Sequence, residues 1–213
     1  NYQYVAARLL LFQVRKSVFN TKWKDSKIYP PLKDIVTRNI NYNVYDERLI
    51  TYYSDEEWNK LDSYMKHDRD LLFTYAGLRQ VVDKYLVQDR SSGQLYESPQ
   101  YMYMLIAATL FKEYPSENRL QYVKRYYDSV SSFKINIPTP IMAGIRTPLR
   151  QFASCVLVDS DDTLDSIFSS DMAIGRYVAQ RAGIGINAGR IRELGSKIRG
   201  GEVQHTGIIP FLK

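Results

Sequence analysis

The stretch Phe152-Ala-Ser-Cys-Val-Leu-Val158 decides the fold class of this chain. It is a mostly apolar run of strand length, which is typical of a strand covered on both faces. Residues 161–165, Asp-Asp-Thr-Leu-Asp, begin a helix that we expect to continue to about Gln180, and a second apolar stretch follows. This strand–helix–strand order predicts an α/β arrangement. The helix carries an apolar stripe made of Leu164, Ile167, Phe168, Met172 and Val178.

The residues before this stretch are mainly helical in pattern. Tyr2–Phe19 reads as an amphipathic helix. Its apolar residues fall near one face, which is made of Val5, Leu9 and Phe12, extended by Phe19 and widened by Leu10 and Val14.

Helix start signals recur along this first part. Pro31 opens a short helix to about Thr37, and Ser54 with Glu57 forms a capping-box pattern. Residues 71–78 are expected to continue as a helix or a tight helical turn. Ser98-Pro99 opens a helix to about residue 113, and Pro115 opens the next.

Two segments depart from the helical pattern. Residues 84–97 read as a β-hairpin with Gly93 in the turn. Residues 135–142, Ile-Asn-Ile-Pro-Thr-Pro-Ile-Met, are expected to be extended, because each proline disfavours the helical region for the residue before it.

The composition excludes several classes of protein. The 213 residues are 45% hydrophobic and 24% charged, close to the average globular domain, which excludes a disordered tail, a collagen-like fibre and a coiled-coil rod. The longest apolar runs are far shorter than the ~20 residues that cross a bilayer. One cysteine cannot form an internal disulfide, so a reducing compartment is favoured. The net charge of +6 favours anionic partners only mildly.

Glycine and arginine are concentrated in residues 181–199. Glycine lets the backbone approach a ligand closely, and arginine suits phosphate oxygens. The segment nevertheless misses the dinucleotide fingerprint by one residue and lacks a phosphate-loop motif. A nucleotide site and a glycine-rich surface loop with solvated arginines both remain open at this point.

Other candidate residues have ordinary structural explanations. The acids Asp159, Asp161, Asp162 and Asp165 suit a helix start, although a sugar hydroxyl could also use such an acceptor. Cys155, taken alone, reads as a small buried hydrophobe. The two histidines are too far apart in sequence to argue for zinc. The eighteen tyrosines favour core and interface use over stacking on bases.

Longer motifs resemble one family closely. They are Ile135-Asn-Ile-Pro-Thr-Pro-Ile-Met-Ala-Gly-Ile-Arg-Thr-Pro-Leu-Arg-Gln-Phe-Ala-Ser-Cys155 and Gln180-Arg-Ala-Gly-Ile-Gly-Ile-Asn-Ala-Gly-Arg-Ile-Arg-Glu-Leu-Gly-Ser-Lys-Ile-Arg-Gly-Gly-Glu202. Both resemble the large, catalytic subunit of class I ribonucleotide reductase, and the likeness extends over the whole chain. It includes His67-Asp-Arg-Asp70, Lys84-Tyr-Leu-Val-Gln88 and Arg119-Leu-Gln-Tyr-Val-Lys-Arg125.

The resemblance implies a radical-based reduction of ribonucleoside diphosphates to deoxyribonucleotides. It makes Cys155 one member of a redox-active cysteine pair beside the ribose, which replaces the structural interpretation of that residue. The substrate contacts that it implies are Thr139, Ser154, Cys155, Ala182 and Gly183.

The resemblance also implies an allosteric specificity site for deoxynucleoside triphosphates or ATP, with Mg²⁺ accompanying the triphosphate and no metal held by the chain itself. Asp162 would accept a sugar hydroxyl and the arginines would bind phosphates. The effector residues that it implies are Asp162, Thr163, Leu164, Arg192 and Arg199. In this family the helix after Asp162 packs against its twin in a homodimer.

The fold that the resemblance implies is a helical domain over residues 1–150, followed by the first elements of a ten-stranded α/β barrel over residues 151–213. The radical cysteine, the second redox cysteine and the ATP-cone would lie outside this chain, so we expect a piece that is inactive without a complementary large-subunit fragment. Further expected partners are a metal-containing, radical-generating small subunit and a thioredoxin or glutaredoxin reductant. We expect a cytoplasmic location, in the host if phage-encoded, without membrane or direct nucleic-acid binding.

Two other functions remain as alternatives. The chain would be a non-catalytic nucleotide-binding or assembly module if it kept the fold without the chemistry. A nucleic-acid binder that uses the basic loops ranks last, and it would show steeply salt-dependent binding.

Overall fold

The computed structural model describes residues 2–20, 29–180 and 182–212. Arg181, the first residue of the predicted glycine- and arginine-rich segment, lies outside them. The chain divides into two compact units, Asn1–Phe152 and Ala153–Lys213, which are described separately below.

The first unit is helical, as predicted, and is built around one central helix. Its helices are α1 (Tyr2–Phe19), α2 (Leu32–Asn41), α3 (Asp55–Tyr64), α4 (Tyr75–Gln80), α5 (Pro99–Leu110), α6 (Arg119–Ser131) and α7 (Thr139–Gly144). Every residue of α5 from Pro99 to Thr109 is buried, because this helix is apolar on all sides and the others surround it. The capping box of Ser54 and Glu57 at α3 is confirmed.

The predicted apolar face of α1 is wrong in part: Leu10 and Val14 are buried as predicted, whereas Val5 and Leu9 are not. Val5 and Leu9 are 53% and 60% exposed, whereas the buried positions are shifted by one or two residues around the helix. The apolar side chains that α1 buries are Ala7, Leu10, Leu11, Val14 and Val18. Residues 9–12 are four consecutive apolar residues, so periodicity alone does not choose between neighbouring faces.

Three other local predictions need correction. Residues 71–78 are not continuous, because the 3-10 helix His67–Leu72 ends before Thr74 caps α4. The hairpin is reduced to one bridge between Gln88 and Leu95, with Gly93 in its turn at φ +76°. Residues 135–142 are not wholly extended: α7 begins at Thr139, since a proline in the first turn of a helix has no N–H to lose.

The second unit has the predicted strand–helix–strand order. Its elements are β1 (Cys155–Asp159), α8 (Leu164–Ala179), β2 (Gly183–Asn187), β3 (Lys197–Ile198) and β4 (Val203–Gln204). Strands β1 and β2 pair in parallel, with Cys155 opposite Gly183 and Asp159 opposite Asn187. Strands β3 and β4 form a small antiparallel pair.

Two burial predictions in the second unit are wrong. Strand β1 is not covered on both faces, because Leu157 is 86% exposed. In the apolar stripe of α8, only Ile167 is buried, while Leu164 and Phe168 are each 61% exposed. Met172 and Val178 are exposed as well. Within this chain the stripe is therefore a surface and not a core face.

In the part of the chain that the structure describes, no helix combines the length and the apolar character needed to cross a membrane.

Candidate functional site

The thiol of Cys155 lies at the start of β1 and is free and exposed. Burial of Cys155 as a small hydrophobe, the interpretation from composition, is therefore wrong. Successive side chains of a strand lie on opposite faces, and exposed and partly buried positions alternate along β1, so Cys155 lies on its more exposed face. An accessible thiol can react, whereas a buried structural one is inert.

Three other predicted substrate residues, Ser154, Ala182 and Gly183, lie beside this thiol in the β1–β2 pair. The backbone N–H of Gly183 donates to the carbonyl oxygen of Ser154 at 2.9 Å, and Cys155 is the register partner of Gly183. A methyl group added at Gly183 would lie 4.0 Å from the sulfur of Cys155 and 3.4 Å from the oxygen of Ser154. Ala182, just before Gly183, is buried. Because Gly183 has no side chain, no side-chain atom of this residue lies between its backbone and the thiol.

Thr139, the remaining predicted substrate residue, belongs to the first unit. It is the first residue of α7 and is exposed. Its Oγ1 lies 3.4 Å from the hydroxyl oxygen of Tyr85. Sequence reasoning did not single out Tyr85, because nothing in a sequence places residues 54 positions apart in contact.

Two predicted effector residues form an ion pair in the second unit. The carboxylate of Asp162 accepts from the backbone N–H of Arg192 at 2.9 Å and from its Nε at 2.7 Å. These hydrogen bonds, led by the backbone one, lower the pKa of Asp162 below its usual value. Asp162 is therefore an ionised acceptor near neutral pH, with lone pairs to spare for a hydroxyl group.

Thr163 and Leu164 occupy the start of α8. The Oγ1 of Thr163 caps the helix by accepting from the N–H of Ser166 at 3.1 Å. The N–H of Asp161 donates back to the hydroxyl of Ser166 at 2.9 Å. Leu164, the first helical residue, projects into solvent. These contacts agree with the helix-start interpretation of the acidic cluster.

A second ionic group lies at the end of β1 and β2. Arg190 contacts Asp159 at 3.0 Å and Asp161 at 3.1 Å. Asn187 donates to Asp159 at 2.8 Å and accepts from the N–H of Gly189 at 3.1 Å. Asn187 was missed by sequence reasoning, although an Asn at the end of a strand and two residues before a glycine is a turn signal.

Arg199 stands apart from the Asp162–Arg192 pair. It lies in the turn between β3 and β4 with a left-handed backbone, at φ +52°, followed by Gly200 and Gly201, which also have positive φ. Among the described residues, its guanidinium makes no hydrogen bond or ion pair. Non-glycine residues rarely adopt a left-handed backbone, so the conformation of Arg199 is unusual.

A buried network fixes α7 in the first unit. The guanidinium of Arg146, fully buried, forms an ion pair with the fully buried carboxylate of Glu97. Tyr45 donates to the same carboxylate, and burial, followed by the charge of Glu97, raises the pKa of Tyr45. Arg146 also donates to the carbonyl oxygens of Met142 at 2.6 Å and of Tyr85 at 2.9 Å.

A second buried cluster contains Asp70 and His67. Asp70 accepts from Gln100 at 2.8 Å and lies 3.6 Å from Arg15. Burial raises the pKa of Asp70 to about 6. His67 stacks on Tyr29, and burial, helped by the charge of Arg15, lowers the pKa of His67 to about 4.

Comparison with known proteins identifies the class of protein to which this fold and these residues correspond. The family model described as "Ribonucleotide reductase, all-alpha domain" matches residues 71–150, and "Ribonucleotide reductase, barrel domain" matches residues 153–213. The order of the two matches agrees with the structure, in which a helical unit is followed by strand–helix–strand elements.

Curated relatives match over the whole chain. The chain is 55% identical to ribonucleoside-diphosphate reductase 1 subunit alpha of Escherichia coli and 54% identical to the alpha subunit of Haemophilus influenzae. It is 48% identical to the alpha subunit of Enterobacteria phage T4. It spans 27% or 28% of the length of these relatives. The chain belongs to the ribonucleotide reductase large-subunit family.

Proposed function

We propose that this chain acts within a ribonucleotide reductase large subunit, in the reduction of ribonucleoside diphosphates to deoxyribonucleoside diphosphates. The single observation that supports this most strongly is the exposed thiol of Cys155, beside the bare backbone of Gly183 and in parallel register with it. The thiol is accessible, and the neighbouring glycine leaves room for a ligand against the backbone.

The chemistry needs two thiols. Reduction replaces the 2′-hydroxyl of the ribose by hydrogen and releases water, while two thiols become one disulfide. Cys155 supplies one thiol, and since the chain has one cysteine, the second comes from another part of the large subunit. A thioredoxin- or glutaredoxin-type dithiol would then restore the pair. A separate metal-containing small subunit supplies the radical that starts the reaction.

Substrate contacts are proposed for the residues around the thiol and for Thr139. The small side chains of Ser154, Ala182 and Gly183 suit close approach by a diphosphate. Thr139 supplies a hydroxyl at the first position of α7.

The specificity site is proposed at the start of α8 and the loops after β2. Asp162 accepts a sugar hydroxyl, Thr163 and Leu164 border it, and Arg192 and Arg199 bind the triphosphate. Among the described residues, no group of three or more His, Cys, Asp or Glu side chains is placed to hold a metal ion. In this proposal Mg²⁺ accompanies the phosphate oxygens of the effector. The exposed stripe of α8 suits the homodimer contact of the large subunit.

The test is Cys155→Ser in the complete large subunit combined with its small subunit. We expect loss of ribonucleoside-diphosphate turnover, with deoxynucleoside triphosphate binding unchanged as the control for folding. Turnover that survives this change would exclude the redox role. Loss of turnover in Cys155→Ser, with activity in the unmodified enzyme, would also exclude the non-catalytic nucleotide-binding module.

A further inference from the structure

We propose that Tyr85 is a positioning residue that orients the hydroxyl of Thr139 toward the substrate. The inference rests on the proposed function for the role of Thr139 and adds a residue that acts through it. The contact that carries it is the 3.4 Å separation of the Tyr85 hydroxyl oxygen and Thr139 Oγ1.

Tyr85 ends a π-helical turn, Val81–Tyr85, that follows α4 directly. The N–H of Leu86 donates to the carbonyl oxygen of Val81 at 3.0 Å, five residues back, which is the hydrogen bond of a π-turn. Such turns are rare and are frequent at functional sites, and the extra residue redirects the side chains of the last turn. Here the redirected side chain is Tyr85.

Side chains from elsewhere bind the carbonyl oxygens that this turn leaves free. Gln88 donates to the oxygen of Val82 at 2.7 Å, and Arg90 donates to that of Asp83 at 3.0 Å. Arg146 donates to the oxygen of Tyr85 itself at 2.9 Å. Helix ends that lack such partners are usually solvated and fray, so these three bonds fix the direction of the turn.

Arg146 also ties the turn to α7. One nitrogen of its guanidinium binds the carbonyl oxygen of Tyr85, and another binds that of Met142, within α7, at 2.6 Å. The charge is neutralised by Glu97, and both side chains are fully buried. The π-turn and α7 are thus joined at two points: through Arg146 in the interior, and through Tyr85 and Thr139 at the surface.

Either oxygen of the Tyr85–Thr139 contact can be the donor. The side-chain amide of Gln80 lies 3.4 Å from the Tyr85 oxygen and donates to it. When Tyr85 donates to Thr139 Oγ1, the Thr139 hydrogen is left available to the substrate. A free threonine hydroxyl samples several orientations, whereas one that accepts from Tyr85 keeps its own hydrogen for a phosphate oxygen.

The test is Tyr85→Phe in the complete large subunit combined with its small subunit. We expect the KM for the ribonucleoside diphosphate to rise about three- to tenfold, the net effect of one hydrogen bond, with kcat within about twofold. Triphosphate effector affinity should not change. Tyr75→Phe is the matched control, because Tyr75 is an exposed tyrosine at the start of α4. It should leave KM unchanged.

A double-mutant cycle separates positioning from a general structural effect. In a Thr139→Ala background, Tyr85→Phe should add less than about a twofold change, whereas in Thr139→Ser it should keep its full effect. A Tyr85→Phe enzyme with the KM of the unmodified enzyme, or effects that multiply in the Thr139→Ala background, would overturn the inference. An unmodified enzyme that does not reduce the diphosphate would instead overturn the proposed function.

Discussion

Asp162 holds Arg192 by two hydrogen bonds to one carboxylate, 2.9 Å from its backbone nitrogen and 2.7 Å from its Nε. The pair ties the loop after β2 to the start of α8. A substitution of either residue therefore removes an internal bond as well as the proposed effector contact. Arg199 lacks such bonds among the described residues, so it gives a cleaner test of the effector site.

Arg199→Ala should weaken deoxynucleoside triphosphate binding by about 1.5–3 kcal/mol, roughly tenfold to a hundredfold, because a charge-assisted phosphate contact is lost. Isothermal titration calorimetry on the complete large subunit measures this. Arg125→Ala, on the exposed side of α6, is the matched control and should bind normally. Equal affinities for Arg199→Ala and the control would remove Arg199 from the site.

Gly183→Ala should impair reduction while leaving the fold intact. The added methyl group meets the Ser154 oxygen at 3.4 Å and the Cys155 sulfur at 4.0 Å, which is ordinary contact for the fold but fills the space beside the thiol. Gly175→Ala, where nothing lies within 4 Å, should instead stabilise α8 by about 0.5–1 kcal/mol. Thermal unfolding and turnover of both variants check this, and normal turnover in Gly183→Ala would contradict it.

Arg146→Met should lower the free energy of unfolding by about 3–5 kcal/mol, because Glu97 is left as an uncompensated buried charge. Glu113→Gln changes a largely exposed carboxylate near Lys112 and should stay within about 0.5 kcal/mol. Urea unfolding of the full chain measures both. A small effect of Arg146→Met would show that the network is not a principal source of stability.

Asp70 and His67 should give opposite pH dependences of stability. The pKa of Asp70 is raised to about 6, so the folded state binds its proton more tightly and stability falls as pH rises from about 4 to 6. The pKa of His67 is lowered to about 4, so the folded state holds its proton less tightly and stability rises between about 4 and 6.5.

The two dependences nearly cancel in the unmodified chain. In Asp70→Asn the His67 effect remains alone, so stability should increase between pH 4 and 6.5 by up to roughly 3 kcal/mol relative to the unmodified chain. His67→Gln should reverse the slope. The measurement is the urea midpoint of each protein across this pH range. If stability depends on pH in the same way in all three proteins, the opposite effects of Asp70 and His67 are refuted.

Local signals in the sequence predicted the ends of several elements but not which faces they bury. The Ser54 cap and the strand–helix–strand order over residues 155–187 were readable from residue types. Residue types did not show which face of α1 is exposed, because two apolar stripes overlap at Leu9 and Leu10. The short helix α7 was missed, because proline restricts its predecessor without excluding a helix start.

For the candidate site, the family resemblance supplied the candidate residues, whereas their contacts required the fold. The family motif pointed to Cys155, Asp162 and Arg192, and the structure pairs the last two. The contact of Tyr85 with Thr139 depends on a π-turn and on the buried Arg146, and no local pattern encodes either. Long-range hydrogen bonds of this kind are set by tertiary packing.

The exposed apolar residues of the second unit have a practical consequence for handling the chain. The apolar side chains of Leu157 on β1 and of Phe168 and Met172 on α8 are exposed to solvent. Purified alone, the polypeptide should become turbid as it is concentrated or warmed, and mild detergent should keep it clear. Yield from expression would then depend on how soon these surfaces are covered after synthesis.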